Sequence, residues 1–149
     1  MKSSRLKPAS LLLLRIGTGL LLVIWGVLRA TTPAAGPGLA DKYYSGLLNS
    51  PAIQTAFGVA EIVIGVLVVL GLLRRFAYPL QALVLIPGAL MLWRYLADPL
   101  GWYMLDRETS QILFFPSIAV AAASLVLIAF RDADLWSLDR VLAKPGSAR

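Results

Sequence analysis

Long apolar runs separated by polar connections dominate the chain. Four of them, residues 10–28, 52–73, 76–97 and 110–130, are each close to the roughly 20 residues that span a ~30 Å hydrocarbon core. Because a helix satisfies its own backbone groups inside lipid, each run predicts a membrane-spanning α-helix. The pattern therefore predicts an all-α polytopic membrane protein, a bundle of four transmembrane helices that forms a single domain of 149 residues.

The connections between the runs differ in length. The second and third runs are joined by the short basic turn "LLRRFAY", which predicts antiparallel neighbours. The loop over residues 29–51 is long and rich in Pro and Gly, and within it "LADKYYSGLL" predicts a short interfacial helix. After the fourth run, Leu135, Leu138 and Leu142 recur at helical spacing. They predict an amphipathic helix over about residues 132–143 on the inner membrane surface.

Composition and charge agree with a membrane chain. Hydrophobic residues make up 58% of the sequence and charged residues only 15%, and the mean hydropathy is +0.76. The net charge is +6, but the basic residues gather at the ends of the apolar runs, which disfavours nucleic acid as a partner. The positive-inside rule predicts both termini in the cytoplasm, with the chain in the inner membrane of a prokaryote. Nine of the 14 basic residues would share that face: Lys2, Arg5, Lys7, Arg74, Arg75, Arg131, Arg140, Lys144 and Arg149.

Cysteine and histidine are both absent from the sequence. Their absence excludes a disulfide, a thiol redox motif and a Ser–His–Asp triad, and it removes the usual protein ligands of zinc, copper and haem iron. We therefore predict no metal site and no covalently bound cofactor. In any electron transfer, a partner protein would have to supply the electrons.

The second run carries a single charge, Glu61, about ten residues from its start. A charge at mid-membrane costs about 2.5–3.5 kcal/mol even on insertion-based scales, so this carboxylate should face the protein interior. Gly58 and Gly65 flank it on the same helical face, and their small size predicts close approach of another helix. An intramembrane carboxylate of this kind is a candidate functional site.

The first run offers a partner face for Glu61. Five residues recur at spacings of four, three, four and three and so form one stripe: Arg15, Gly19, Leu22, Gly26 and Arg29. We predict a direct or water-linked ion pair between Arg15 and Glu61. The alternative is that Arg15 extends alone to the inner headgroups.

Two further arginines, Arg29 and Arg94, are predicted near the outer boundary of the membrane. With Tyr95, Asp98 and Trp102 they would line a basic mouth that suits a quinone carbonyl or an anionic solute. The alternative is that both arginines only reach the headgroups and fix the topology. Pro87–Gly88 predicts a kink in the third helix that opens a pocket beside Glu61.

The segments "RIGTGLLLVIWGVLR" and "GVAEIVIGVLVVLGLLRRFA", with the long first outer loop, resemble the DoxX-like family. That family includes the small membrane subunit of thiosulfate:quinone oxidoreductases, and some relatives act as assembly chaperones. The resemblance covers roughly residues 10–130 and implies a four-helix membrane protein that often works beside a redox partner. Arg29 stands where many members are expected to have Lys, which keeps the charge and changes its donor geometry. The resemblance marks Arg15, Gly26, Arg29, Glu61, Gly65, Gly71 and Arg75.

Three functions fit these observations. The first is the membrane subunit of a quinone-linked oxidoreductase, in which Glu61 is an intramembrane proton site, Arg15 is its charge partner and quinone is the ligand. The second is a non-enzymatic assembly factor or scaffold, in which Glu61 and Arg15 only lock helices together. The third is a small-solute carrier or channel, which would need a homo-oligomer because the sequence has no visible inverted repeat.

Overall fold

The computed structural model describes residues 3–32, 34–43, 46, 49–108 and 112–143, and the regular structure in these ranges is helical. Lys2, Lys144 and Arg149 of the predicted basic face lie outside the described residues. The helices are α1 (Ser3–Thr31), α2 (Ala35–Tyr43), α3 (Pro51–Leu70), α4 (Arg74–Met91), α5 (Trp93–Ala97), α6 (Ser117–Ala129) and α7 (Leu138–Leu142), with 3₁₀ turns at Ile112–Phe114 and Arg131–Ala133.

Three helical stretches of the described chain are long and apolar enough to cross a membrane. They are Arg5–Thr31, Pro51–Leu70 and Ile112–Ala129, with mean hydropathies of 2.2, 2.2 and 2.5. The all-α prediction is thus confirmed for the described residues, and three of their helical stretches have the length and hydropathy that a membrane protein requires. The third predicted run is less apolar, because α4 begins with two arginines and ends at Met91, and a separate short helix, α5, follows.

The helix ends follow local sequence signals. Gly71 ends α3 in the left-handed conformation, with φ of 67°, a cap that glycine adopts without steric cost. Pro116 precedes α6, so the fourth helix begins at Ser117 rather than at the predicted 110. The first helix is longer than predicted and runs through Pro8 in its first turns.

A glycine seam joins α1 to α3, which lie antiparallel with their backbones in contact. A Cβ on Gly65 would lie 2.6 Å from the carbonyl oxygen of Gly19, and one on Gly26 would lie 2.5 Å from the carbonyl oxygen of Gly58. Any side chain at these positions would push the helices apart. The predicted stripe on α1 is confirmed as buried. It faces a matching buried stripe on α3: Gln54, Gly58, Glu61, Gly65 and Val68.

The two ends of the structure differ in what covers them. At one end, here called the tail end, Lys7 near the start of α1 lies 4.8 Å from the centre of the Phe130 ring. Ser137 and Asp139 contact Gly71 at the same end. At the opposite end, here called the loop end, α2 packs against the first turn of α3. The predicted tail helix over 132–143 is limited to α7, because the chain before it forms a 3₁₀ turn and then turns Asp134 and Ser137 into the protein interior.

The apolar core sits toward the tail end, where Leu11, Val68, Ala77, Tyr78 and Leu127 pack together. Much of the remaining apolar surface points outward, which is the arrangement expected where lipid rather than water surrounds the helices. Leu13, Ile24 and Val63 are examples, with more than half of each side chain exposed.

Candidate functional site

Glu61 lies in the middle of α3, between the two seam glycines, and is only 3% exposed. Its partner is Arg29 of α1, whose Nε lies 3.1 Å from Glu61 Oε2. The angles at these two atoms do not meet those of a hydrogen bond, so the contact is an ion pair without a hydrogen bond. Arg29 Nη1 also donates a hydrogen bond to Oε1 of Gln54. Arg29, Gln54 and Glu61 together form the loop-end cluster.

The predicted ion pair between Arg15 and Glu61 is wrong. The contacts of the glycine seam set Glu61 level with about Trp25 of α1, which is about 15 Å along the axis from Arg15 and about 6 Å from Arg29 at ~1.5 Å per residue. In an α-helix the Cα–Cβ bond tilts toward the N-terminus. Arg29 therefore leans toward Glu61, whereas Arg15 leans away from it.

Arg15 instead belongs to a second buried group at the tail end. Its Nη1 lies 3.0 Å from Asp134 Oδ2, and its Nη2 donates a hydrogen bond of 3.0 Å to the carbonyl oxygen of Trp136. The Tyr78 hydroxyl donates to the same Asp134 oxygen at 2.5 Å, and Arg74 Nη1 lies 3.8 Å from it. Arg15, Arg74, Tyr78 and Asp134 together form the tail-end cluster. The alternative that Arg15 extends alone to the headgroups is wrong as well, because its side chain is only 3% exposed.

Asp139 fastens α7 to the turn between α3 and α4. Its carboxylate accepts hydrogen bonds from the backbone N–H groups of Leu73 and Arg74, both at 2.9 Å, and from Arg74 Nε at 3.3 Å. Burial opposes ionisation of Asp139, but these donors outweigh it and lower the pKa of the carboxyl below its usual 3.8. Leu73 has a positive φ of 49°, so the bond to its amide helps to hold a backbone conformation that non-glycine residues rarely adopt.

A cavity of about 390 Å³ opens beside the loop-end cluster. Arg29, Gln54 and Glu61 form its polar part, and the remaining wall is mainly apolar. Its size and its few convergent polar groups are typical of a small-molecule site. The pocket that Pro87–Gly88 predicts beside Glu61 is present, since both residues line the cavity. Other walls come from α1, α3, α4 and α6: Leu22, Trp25, Phe57, Leu85, Met91 and Val120.

Three aromatic rings stand at the loop end of this cavity. Tyr43 of α2 packs edge-to-face on Phe114 with ring centroids 4.9 Å apart, and Tyr95 of α5 contacts both rings at 5.6 and 5.4 Å. Tyr43 and Phe114 line the cavity itself. The aromatic cluster thus lies between the cavity and the surface loops.

The residues predicted to line a basic mouth are not brought together. Arg29 lines the cavity and Tyr95 packs behind its wall, but Arg94 and Trp102 are exposed, and Trp102 is 61% exposed. Leu92 lies between α4 and α5 and interrupts the helix, so Arg94 does not continue the helical phase of α4. The predicted grouping is corrected accordingly.

Asp98 is buried, as an inward-facing residue would be, but its carboxylate serves the backbone. It accepts hydrogen bonds from the N–H groups of Trp102, Tyr103, Met104 and Leu105 at 2.6–3.0 Å. Burial raises its pKa, but the four donors outweigh burial and hold the pKa well below the usual range. Asp98 therefore organises the loop after α5 and is not available to a ligand.

Sequence reasoning missed two members of the site. Gln54 lies seven residues before Glu61, on the same helical face, and this spacing could have identified it. Phe114 lies in a 3₁₀ turn that a continuous fourth helix does not predict, so no local signal placed it at the cavity.

Comparison with known proteins does not identify the chain: no protein-family model, curated protein or solved structure matches it. The resemblance to the DoxX-like family stays a prediction from the sequence. The geometry of the loop-end cluster and its cavity therefore has to carry the functional assignment.

Proposed function

We propose that the chain is the membrane subunit of a quinone-linked oxidoreductase, with Glu61 as an intramembrane proton site. The observation that carries the proposal is the cavity beside the loop-end cluster. A quinone headgroup is a flat, largely apolar ring with carbonyl oxygens, and the cavity pairs apolar walls with one guanidinium and one carboxylate. Its volume is in the range that small-molecule pockets have.

The chemistry assigns a separate task to each polar group. Arg29 would donate a hydrogen bond to a quinone carbonyl and stabilise negative charge on that oxygen during reduction. Reduction to the quinol takes up two electrons and two protons. Glu61 would pass the protons one at a time to the quinone oxygens, and a redox partner protein would supply the electrons.

The proposal includes four membrane crossings, with both ends of the chain on one side of the membrane. Three crossings would leave the two ends of the chain on opposite sides of the membrane, yet Arg15 of α1 pairs with Asp134 after α6. We infer that α4 supplies the fourth crossing, despite the two arginines at its start. The predominance of basic residues at the tail end then favours a cytoplasmic location for both termini and the inner membrane of a prokaryote.

The test is thermal unfolding of the detergent-purified protein with and without a short-chain quinone. Ligand at about 100 times its Kd stabilises the folded state by about 2.7 kcal/mol, so the wild type should unfold at a higher temperature when quinone is present. In Glu61→Gln that shift should be strongly reduced. Asp132→Asn is the matched control, because its side chain is 89% exposed and far from the cavity.

One result would contradict the proposal. If quinone leaves the unfolding temperature of the wild type unchanged and Glu61→Gln is merely less stable, the loop-end cluster is a structural pin. A membrane assembly factor or scaffold would then be the better reading, and co-purification of a protein partner would be the next measurement.

A further inference from the structure

A second concavity, the α1–α6 groove, runs between α1 and α6 and has a volume of about 530 Å³. It is wide because its walls carry small side chains. A Cβ on Gly17 would have nothing within 4 Å, and Ala119 on the opposite wall is exposed. The other main wall residues are Leu13, Leu14, Pro116 and Ala123.

The polar groups of the groove are already satisfied. The Ser10 hydroxyl donates to the carbonyl oxygen of Leu6 at 2.9 Å, and the Thr18 hydroxyl donates to that of Leu14 at 2.8 Å. Both bonds stay within α1, so neither hydroxyl needs a partner from outside. The surface that remains is suited to hydrocarbon and offers nothing for a polar ligand to bind.

The groove adjoins the loop-end cavity at one residue of α6. Val120 of α6 lines both, and α1 supplies a wall to each. On the side of the surface loops, the cavity meets the rings of Tyr43, Tyr95 and Phe114. A ligand whose polar headgroup lies beside Glu61 would therefore find an apolar path along α1 and α6 toward the lipid.

We propose that the α1–α6 groove holds the hydrocarbon chain of a membrane-dissolved quinone whose headgroup occupies the loop-end cavity. This inference rests on the proposed function and makes the substrate class specific: a quinone that carries a long apolar chain and enters sideways from the bilayer. A water-soluble quinone would use the cavity alone and leave the groove to ordinary lipid.

The experiment compares two ligands that share one headgroup. They are a benzoquinone that carries two methoxy groups and one methyl group, and its decyl derivative. Their Kd values are measured at one fixed detergent concentration for the wild type and two groove-filling variants, Ala119→Phe and Gly17→Leu, which act from opposite walls. Ala60→Phe is the matched control, because Ala60 is exposed on α3 and lines neither concavity.

In the wild type we expect the decyl chain to tighten binding about tenfold, because the groove buries part of the apolar surface of the chain that detergent covers only incompletely. Both groove-filling variants should lose that gain and keep the Kd of the chainless quinone, while Ala60→Phe keeps both values. Two variants are used so that a misfolded one does not decide the outcome.

The outcomes separate this inference from the proposed function. If the chainless quinone binds but the decyl chain adds no affinity, the inference is wrong and the proposed function stands. The same holds if the affinity gained from the decyl chain is unchanged in both groove-filling variants. If neither quinone binds the wild type, the proposed function fails and the inference with it.

Discussion

Helix α1 buries two arginines, each against a carboxylate, but the surroundings of the two ion pairs differ. At the tail end, Arg15 and Asp134 are enclosed by the chain itself, with a hydroxyl and a second guanidinium around the same carboxylate. At the loop end, Arg29 and Glu61 form one face of a cavity. The first arrangement leaves little room for a ligand, and the second leaves a space of small-molecule size.

The difference shows that a buried ion pair in a membrane protein can serve structure or chemistry depending on what surrounds it. Arg15 is held by protein groups on several sides, so its removal should be felt mainly as lost stability. Arg29 and Glu61 keep one side toward the cavity, so their loss should be felt mainly as lost ligand binding. Each prediction below tests that division.

The largest expected effect is that of Asp134→Ala. The substitution leaves the Arg15 guanidinium buried without its carboxylate, and breaking such a pair costs about 3–5 kcal/mol. Chemical unfolding in detergent would measure the loss. Glu61→Gln should cost only about 1 kcal/mol, because Arg29 keeps its hydrogen bond to Gln54 and the amide can still accept one. Equal losses in the two variants would contradict the division.

A control isolates the unpaired charge as the cause. In the double variant Arg15→Leu, Asp134→Leu, both charges leave together, and replacing a buried pair by apolar residues is often close to neutral. We expect the double variant to be more stable than Asp134→Ala. If it is less stable, the tail-end cluster contributes net stability beyond charge compensation.

The glycine seam gives a prediction of intermediate size. A Cβ on Gly65 would lie 2.6 Å from the carbonyl oxygen of Gly19, whereas one on Gly58 would also lie 2.8 Å from Cβ of Arg29. Gly65→Ala and Gly58→Ala should each lower stability by about 1–3 kcal/mol through overpacking. Only Gly58→Ala should also weaken quinone binding, because it displaces Arg29. Gly38→Ala is the control, since its Cβ would meet nothing within 4 Å.

The smallest effect is a pH dependence of α7 at the tail end. The folded-state pKa of Asp139 lies below its usual 3.8, so its contribution to stability is complete well above that value. It is lost as the pH falls through 3.8 toward the lower, folded-state pKa. Hydrogen exchange of residues 138–142 should therefore accelerate in acid relative to the amides of α3. Asp139→Asn should show fast exchange in α7 at neutral pH too.

The sequence was sufficient for the parts of the fold that depend on local pattern. The helical character, the buried stripe of α1, the inward-facing Glu61 and the pocket at Pro87–Gly88 were all predicted, because periodicity and isolated charges reveal which face is buried. The partners of the two arginines were not. Choosing between Arg15 and Arg29 requires the register of the seam and the tilt of side chains on a helix, neither of which spacing alone provides.

There is a second reason why the sequence did not predict the tail-end cluster. Asp134 lies in a polar stretch, "RDADLWSLDR", that reads as a surface segment, yet it is 1% exposed. Its burial depends on a contact with a residue at the other end of the chain, and a single sequence carries no signal of such pairing.

The separation of Arg15 from Asp134 orders events during synthesis. The two residues are 119 positions apart, so the ribosome delivers the first helix to the membrane long before the carboxylate that neutralises it exists. Until then the Arg15 guanidinium lacks the carboxylate with which it pairs, and an unpaired charge in an apolar helix is costly. The segment that carries Asp134 must therefore pack against α1 before this buried charge is compensated. A chain that is cut short before Asp134 should therefore be less stable than the full chain, because the Arg15 guanidinium is left without its carboxylate.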